Sequence, residues 1–168
     1  MLPTNLTPLE VFDAGIHSET LAFKMYDKLS KRIEVPTLQA RLTQLKKDEK
    51  DHRKTLKAHR RSLFGQVATT VTESDVAEIF GTVDVSTVQD KESLIQTLYA
   101  AIRYEEFSAY FYDKQRHRIP NREARIFFEV LASEGQFHAD ILKRQIESVR
   151  GMVLELDDRG RTVEIMQH

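Results

Sequence analysis

Three glutamates and three histidines stand at positions that the surrounding pattern fills with apolar side chains. The first stripe reads Leu9, Phe12, Ile16, Glu19, Phe23, Tyr26, Ser30, Ile33. The second reads Leu38, Leu42, Leu45, Glu49, His52, Leu56, His59, Leu63. A third runs Ile95, Leu98, Ile102, Glu105, Ala109, Tyr112, Arg116, and a fourth Ala124, Phe128, Leu131, Gly135, His138, Leu142, Gln145, Val149. Steps of three and four put each stripe on the core-facing side of a helix. A carboxylate in such a seam is costly unless it is paired, hydrogen-bonded, neutralised or bound to a cation. Glu49 and His52 are three residues apart, so a carboxylate and an imidazole share one face of one turn. Carboxylate oxygen with imidazole nitrogen suits iron, manganese or zinc.

Four helices must position these groups. Thr7, Pro8 and Glu10 form a capping box with proline in the first turn, and Pro36 ends the first helix. The second stops at Gly65, and the short link between them makes the two antiparallel neighbours. Residues 65–90 are a long connection, with a short capped helix in SDVAEIFG ending at Gly81. A crossover running the length of a bundle would need such a segment. Pro120 closes the third long helix, Asn121 caps the fourth, and Gly151 ends it. The tail VLEL-DDRG-RTVEI reads as a β-hairpin. The expected organisation is a four-helix bundle over residues 1–150 and a C-terminal extension over 151–168.

The halves align without a gap at an offset of 86 residues. Phe12 falls on Leu98, Glu19 on Glu105, Tyr26-Asp27-Lys28 on Tyr112-Asp113-Lys114, Asp48 on Glu134, His52 on His138, and Gly65 on Gly151. One helical hairpin cannot bury its own stripe, so two copies are expected to pack face to face. Ligand-type residues at equal heights then converge on one layer.

Composition narrows the function classes. The chain has 168 residues, 40% hydrophobic and 30% charged, which excludes a disordered chain. Net charge is −1, so no global drive toward nucleic acid or acidic lipid follows. There is no cysteine, which excludes a disulfide framework, a thiolate cluster and a catalytic thiol. No secretory signal or membrane-spanning run is legible, and the cytoplasm is the expected compartment.

On these motifs the sequence resembles the ferritin-like superfamily, and within it rubrerythrin-type proteins, over roughly residues 8–150. The residues that carry the resemblance are Gly-Ile-His-Ser-Glu19 with Met25-Tyr26, Glu49-Lys-Asp-His52, Ala-Ile-Arg-Tyr-Glu105 with Phe111-Tyr112, and Leu131 to Leu142 around His138. The resemblance implies an all-α bundle binding two iron ions. Glu19, Glu49 and His52 would serve one half of the site, and Glu105 and His138 the other. It also implies a peroxidase or ferroxidase type of chemistry on peroxide, dioxygen or ferrous iron.

The sequence departs from that family at one ligand position. The repeat partner of Glu49 is Gly135, where the family carries a bridging carboxylate. Three carboxylates do not neutralise two divalent ions, which weakens the second. Glu134 is the expected substitute if a π-bulge turns it inward. Ser108 stands where rubrerythrins often carry a further glutamate. Without cysteines the chain has no rubredoxin module, so an outside electron donor is expected. A homodimer is the expected assembly, with the hairpin as its clasp. The alternative is a degenerate bundle with one or no metal, acting as a binding or oligomeric scaffold. Tyr26 and Tyr112 read as core, with a hydrogen bond to a ligand as the alternative; His59 reads as a core-edge residue, and His17 and His117 as solvated.

Overall fold

The computed structural model describes residues 5–165. Four long helices form two antiparallel hairpins: α1 (Pro8–Arg32) with α2 (Pro36–Phe64), and α4 (Lys91–Gln115) with α5 (Arg122–Arg150). The crossover between α2 and α4 holds α3 (Glu73–Phe80) and one 3-10 turn (Val85–Thr87). This is a ferritin-like helical bundle with a crossover after the second long helix. Among the described residues no helix is long and apolar enough to cross a membrane.

The helix ends are set by local chemistry. Thr7 and Glu10 form the expected capping box at α1. The box at α3 is Thr72 with Asp75, two residues before the serine that opens the SDVAEIFG motif. Gly65 and Gly81 end α2 and α3 with φ of +69° and +84°, where a side chain would be strained.

The crossover does more than span the bundle. Besides the expected seam, α1 buries Val11, Ser18, Ala22, Met25 and Leu29, and α4 buries Leu94, Ala101, Tyr104, Ser108 and Phe111. These form a second stripe on each helix. Phe80 of α3 covers it, packing on Tyr104, Phe107 and Phe111 at ring-centroid distances of 5.7, 4.9 and 5.2 Å. Val76, Val85 and Val88 are buried with it.

The tail forms the expected hairpin from β2 (Val153–Leu156) and β3 (Thr162–Ile165). It does not keep a free edge on β3 for a second copy. That edge pairs in parallel with β1 (Ile33–Glu34), giving sheet order β1-β3-β2. Arg161 ion-pairs with Glu34 and with Asp157. The hairpin therefore clasps the α1–α2 turn to the end of α5 within one chain.

Candidate metal centre

Glu19 comes from α1, Glu49 and His52 from α2, Glu105 from α4 and His138 from α5. All but His52 are buried; its side chain is 14% exposed. Because the helices pack in register, the five groups meet in one layer. His52 Nδ1 lies 3.5 Å from Glu19 Oε2 and 3.9 Å from Glu49 Oε2. His138 Nδ1 lies 2.9 Å from Glu49 Oε1 and 3.3 Å from Glu105 Oε1. The imidazoles, 86 residues apart, stack with centroids 5.9 Å apart. Two triads of donor atoms result, Glu19–Glu49–His52 and Glu49–Glu105–His138, and Glu49 belongs to both.

Each half orients the other half's carboxylate. Tyr26 of α1 donates to Glu105 Oε1 at 2.5 Å, and Tyr112 of α4 donates to Glu19 Oε1 at 2.7 Å. One position before each glutamate, Ser18 and Tyr104 meet: the Tyr104 hydroxyl donates to the Ser18 carbonyl at 2.8 Å and lies 3.2 Å from its hydroxyl. Tyr26 and Tyr112, read from sequence as core with a hydrogen bond to a seam carboxylate as the alternative, are both: each is fully buried and each holds a glutamate.

Sequence reasoning missed Asp48. Its carboxylate lies 3.2 Å from His138 Nε2 and also accepts from Gln44 at 2.8 Å. A signal was present, because Asp48 and Glu134 align under the repeat and each stands four residues before a histidine. Glu134 shares that outer position. Its Oε2 is 3.7 Å from His138 Nε2, and its side chain is 38% exposed. It faces the nitrogen opposite to the one that meets Glu49 and Glu105. α5 runs as uninterrupted α-helix through it, with no π-bulge to turn it inward. Asp48, Glu134 and His138 form a third group of donor atoms on this outer side.

Gly135 has a packing reason. A Cβ there would stand 3.0 Å from the Ala109 Cβ, 3.1 Å from the Glu105 carbonyl oxygen and 3.2 Å from the Ala109 nitrogen. The backbone of α4 occupies the space that a fourth carboxylate stem would need. Ser108 is buried and adds no charge. His59 stacks on Phe127 at 5.5 Å, at the core edge as expected. His117 is exposed, but His17 is half-buried, with Nε2 2.9 Å from the Val71 carbonyl.

The electrostatics follow from acids crowded in a dry layer. Burial first, then the charges of Glu19 and Glu105, push the Glu49 carboxyl well above the usual range. Burial also opposes ionisation of Glu19, but the neighbouring Glu49 and His52 and the Tyr112 hydroxyl outweigh it and hold that carboxyl low. Burial disfavours a charged His52, yet Glu19 and Glu49 raise it to about 10. His138 is raised as well, by Asp48, Glu105 and Glu49 against its burial.

Protons alone leave the layer incompletely satisfied. Glu19 Oε2, Glu49 Oε1 and His138 Nδ1 are buried without a hydrogen bond. Glu49 Oε1 and His138 Nδ1 are close enough for one, at 2.9 Å, but are wrongly directed. Donor atoms that converge without bonding one another fit a cation that displaces their protons, and three carboxylates with two imidazoles are the donor types iron accepts.

The comparisons agree with this architecture. A search of curated proteins finds no match. A hypothetical protein from Pyrococcus furiosus has a similar fold, with a TM-score of 0.75 at 18% identity, over 86% of this chain and 91% of that one. The rubrerythrin family model matches residues 10–156, from the first turn of α1 to the end of β2. That span takes in all five seam residues, and the chain belongs to the rubrerythrin family.

Proposed function

We propose that the protein is a non-haem di-metal oxidoreductase, with iron as the resident metal, acting on peroxide, dioxygen or ferrous iron. The observation that supports it most is the sharing of Glu49 between two donor triads. Glu19 and His52 would hold one ion, Glu105 and His138 the other, and Glu49 would bridge. Manganese or zinc would fit the same atoms. Bound iron would supply two electrons to an O–O bond.

The chain's own groups prepare that chemistry. The Tyr26 and Tyr112 hydroxyls each hold one carboxylate oxygen, fixing how Glu105 and Glu19 face inward. Asp48 would accept the proton of His138 Nε2, so that Nδ1, once its own proton is displaced by a cation, would face Glu49 and Glu105 as the ligating nitrogen. Burial of the carboxylates keeps bulk water from competing for the donor atoms. Electrons come from an outside donor in this reading. The assembly is a cytoplasmic homodimer, and the exposed Ile126, Val130 and Phe137 on α5 offer an apolar stripe to a second copy.

An anaerobic Fe(II) titration tests the assignment. Tight binding near stoichiometry is expected, and ferrous-loaded protein should consume two ferrous equivalents per peroxide. Less than about half an equivalent of tight metal would sink it. The scaffold reading draws on Gly135, whose packing bars a fourth carboxylate. Under that reading Glu49→Ala leaves stability unchanged or raised, since it removes a buried acid that no cation holds.

A further inference from the structure

The largest charge imbalance outside the metal layer lies on α2. That helix carries nine Lys and Arg against three Asp and Glu, on a chain whose net charge is −1. Lys47, Lys50, Lys54, Lys57 and Arg61 recur in steps of three and four, and all five are exposed. At 3.6 residues per turn they share an arc of about 80° and a length of about 21 Å. Lys47 pairs with Asp51 at 3.0 Å, whereas among the described residues Lys50, Lys54, Lys57 and Arg61 have no ion pair. Two more cations flank the stripe: Arg53 lies over the Phe23 ring and Arg60 is bound to Asp13. Like charges at these spacings repel, so the fold gains nothing from the stripe.

The opposite face of the same helix carries Glu49 and His52. A protein resting on the stripe would lie about one helix diameter, roughly 10–12 Å, from the metal layer. We propose that this stripe is the docking face for a small acidic electron-carrier protein. The proposal rests on the redox reading above, in which electrons reach the site from an outside donor. Two one-electron encounters would supply the electron pair that, with two protons, converts one peroxide to two waters. A compact acidic surface matches a stripe about 21 Å long. A nucleic-acid strand would run past it onto the remainder of the chain, which is net acidic. Complementary charge of this kind raises encounter rates and is weakened by salt.

The test uses metal-loaded protein with a reduced plant-type [2Fe–2S] ferredoxin as the acidic probe and reduced cytochrome c as the basic one. A triple variant, Lys54→Glu with Lys57→Glu and Arg61→Glu, is compared with Lys54→Arg, Lys57→Arg and Arg61→Lys. Wild type and the charge-preserving variant should bind ferredoxin at least tenfold more tightly at about 20 mM than at about 200 mM salt, and should reoxidise it with peroxide. The reversed variant should lose at least tenfold in both readouts, while its metal content and its peroxide turnover with dithionite stay at wild-type level. Should the triple variant fold poorly, Lys54→Glu alone is expected to weaken binding about threefold. Equal binding by wild type and reversed variant overturns the proposal. So does preference for cytochrome c, for a DNA duplex or for anionic vesicles. Absence of dithionite-driven turnover in wild type overturns the redox reading instead, and the binding isotherm still decides the docking face.

Discussion

The two nitrogens of His138 sit in different surroundings: Nδ1 faces the acids of the core, Nε2 faces Asp48. In a His138 that has given up one proton to bind metal, that division favours the proton on Nε2, and Asp48→Ala should therefore weaken metal binding about 10–100-fold. Competition with a chromophoric chelator measures it, and an unchanged affinity would contradict the role given to Asp48. Protons are a second handle. His52 is raised to about 10 and must lose its proton before it can serve as a ligand. Metal affinity should then rise with pH, with protons released on binding in a dye-monitored titration. Metal-free protein should behave oppositely. A histidine whose folded pKa is raised from 6.5 to about 10 gives stability that is fully present below pH 6.5 and lost as pH climbs to about 10. Urea midpoints of the chelated protein should fall across that window. At this scale Glu19, Glu49, His52, Glu105 and His138 were legible because an acid or imidazole in a leucine seam breaks the pattern. Asp48 was marked only by its repeat alignment with Glu134, since it lies off the seam among charges that read as a solvated face.

Gly135 shows how an element constrains a residue. The close approach of α5 to α4 there leaves a Cβ only 3.0–3.2 Å from three atoms, two of them backbone. Gly135→Ala gains about 1 kcal/mol in helix propensity but overpacks a contact that cannot yield, at about 1–3 kcal/mol. A net loss of about 1 kcal/mol is expected, read as a lowered thermal midpoint, and a rise would show that the helices separate readily. Adding a carboxylate by Gly135→Glu should not restore a fourth ligand. The crossover makes the same point from outside. Phe80→Ala empties the cover over Tyr104, Phe107 and Phe111 and should cost about 3–5 kcal/mol. The four long helices and the hairpin could be read from periodicity and punctuation. The second buried stripe on α1 and α4 could not, because Ser18, Ala22, Ala101 and Ser108 are small or polar and carry no apolar signal.

Across the whole molecule, the twofold repeat makes each half depend on the other. Tyr26 serves Glu105 and Tyr112 serves Glu19, so each carboxylate takes its tyrosine hydrogen bond from the other hairpin. The repeat was visible as an offset of 86 in sequence, but the exchange of tyrosines required the packed structure, since spacing along one chain does not say which copy a side chain crosses to. A cation in the shared layer would tie α1, α2, α4 and α5 together at once, and so would stabilise the global fold. At a free metal concentration of one hundred times Kd, the gain is about 2.7 kcal/mol. In a chain of this size that is a rise of about 5–10 °C in the thermal midpoint. The rise should appear with Fe(II), be reversed by chelator, and vanish in Glu49→Ala, whose loss removes a donor from both triads. A midpoint indifferent to metal would mean that protons alone hold the layer, and the bundle would then stand as a scaffold.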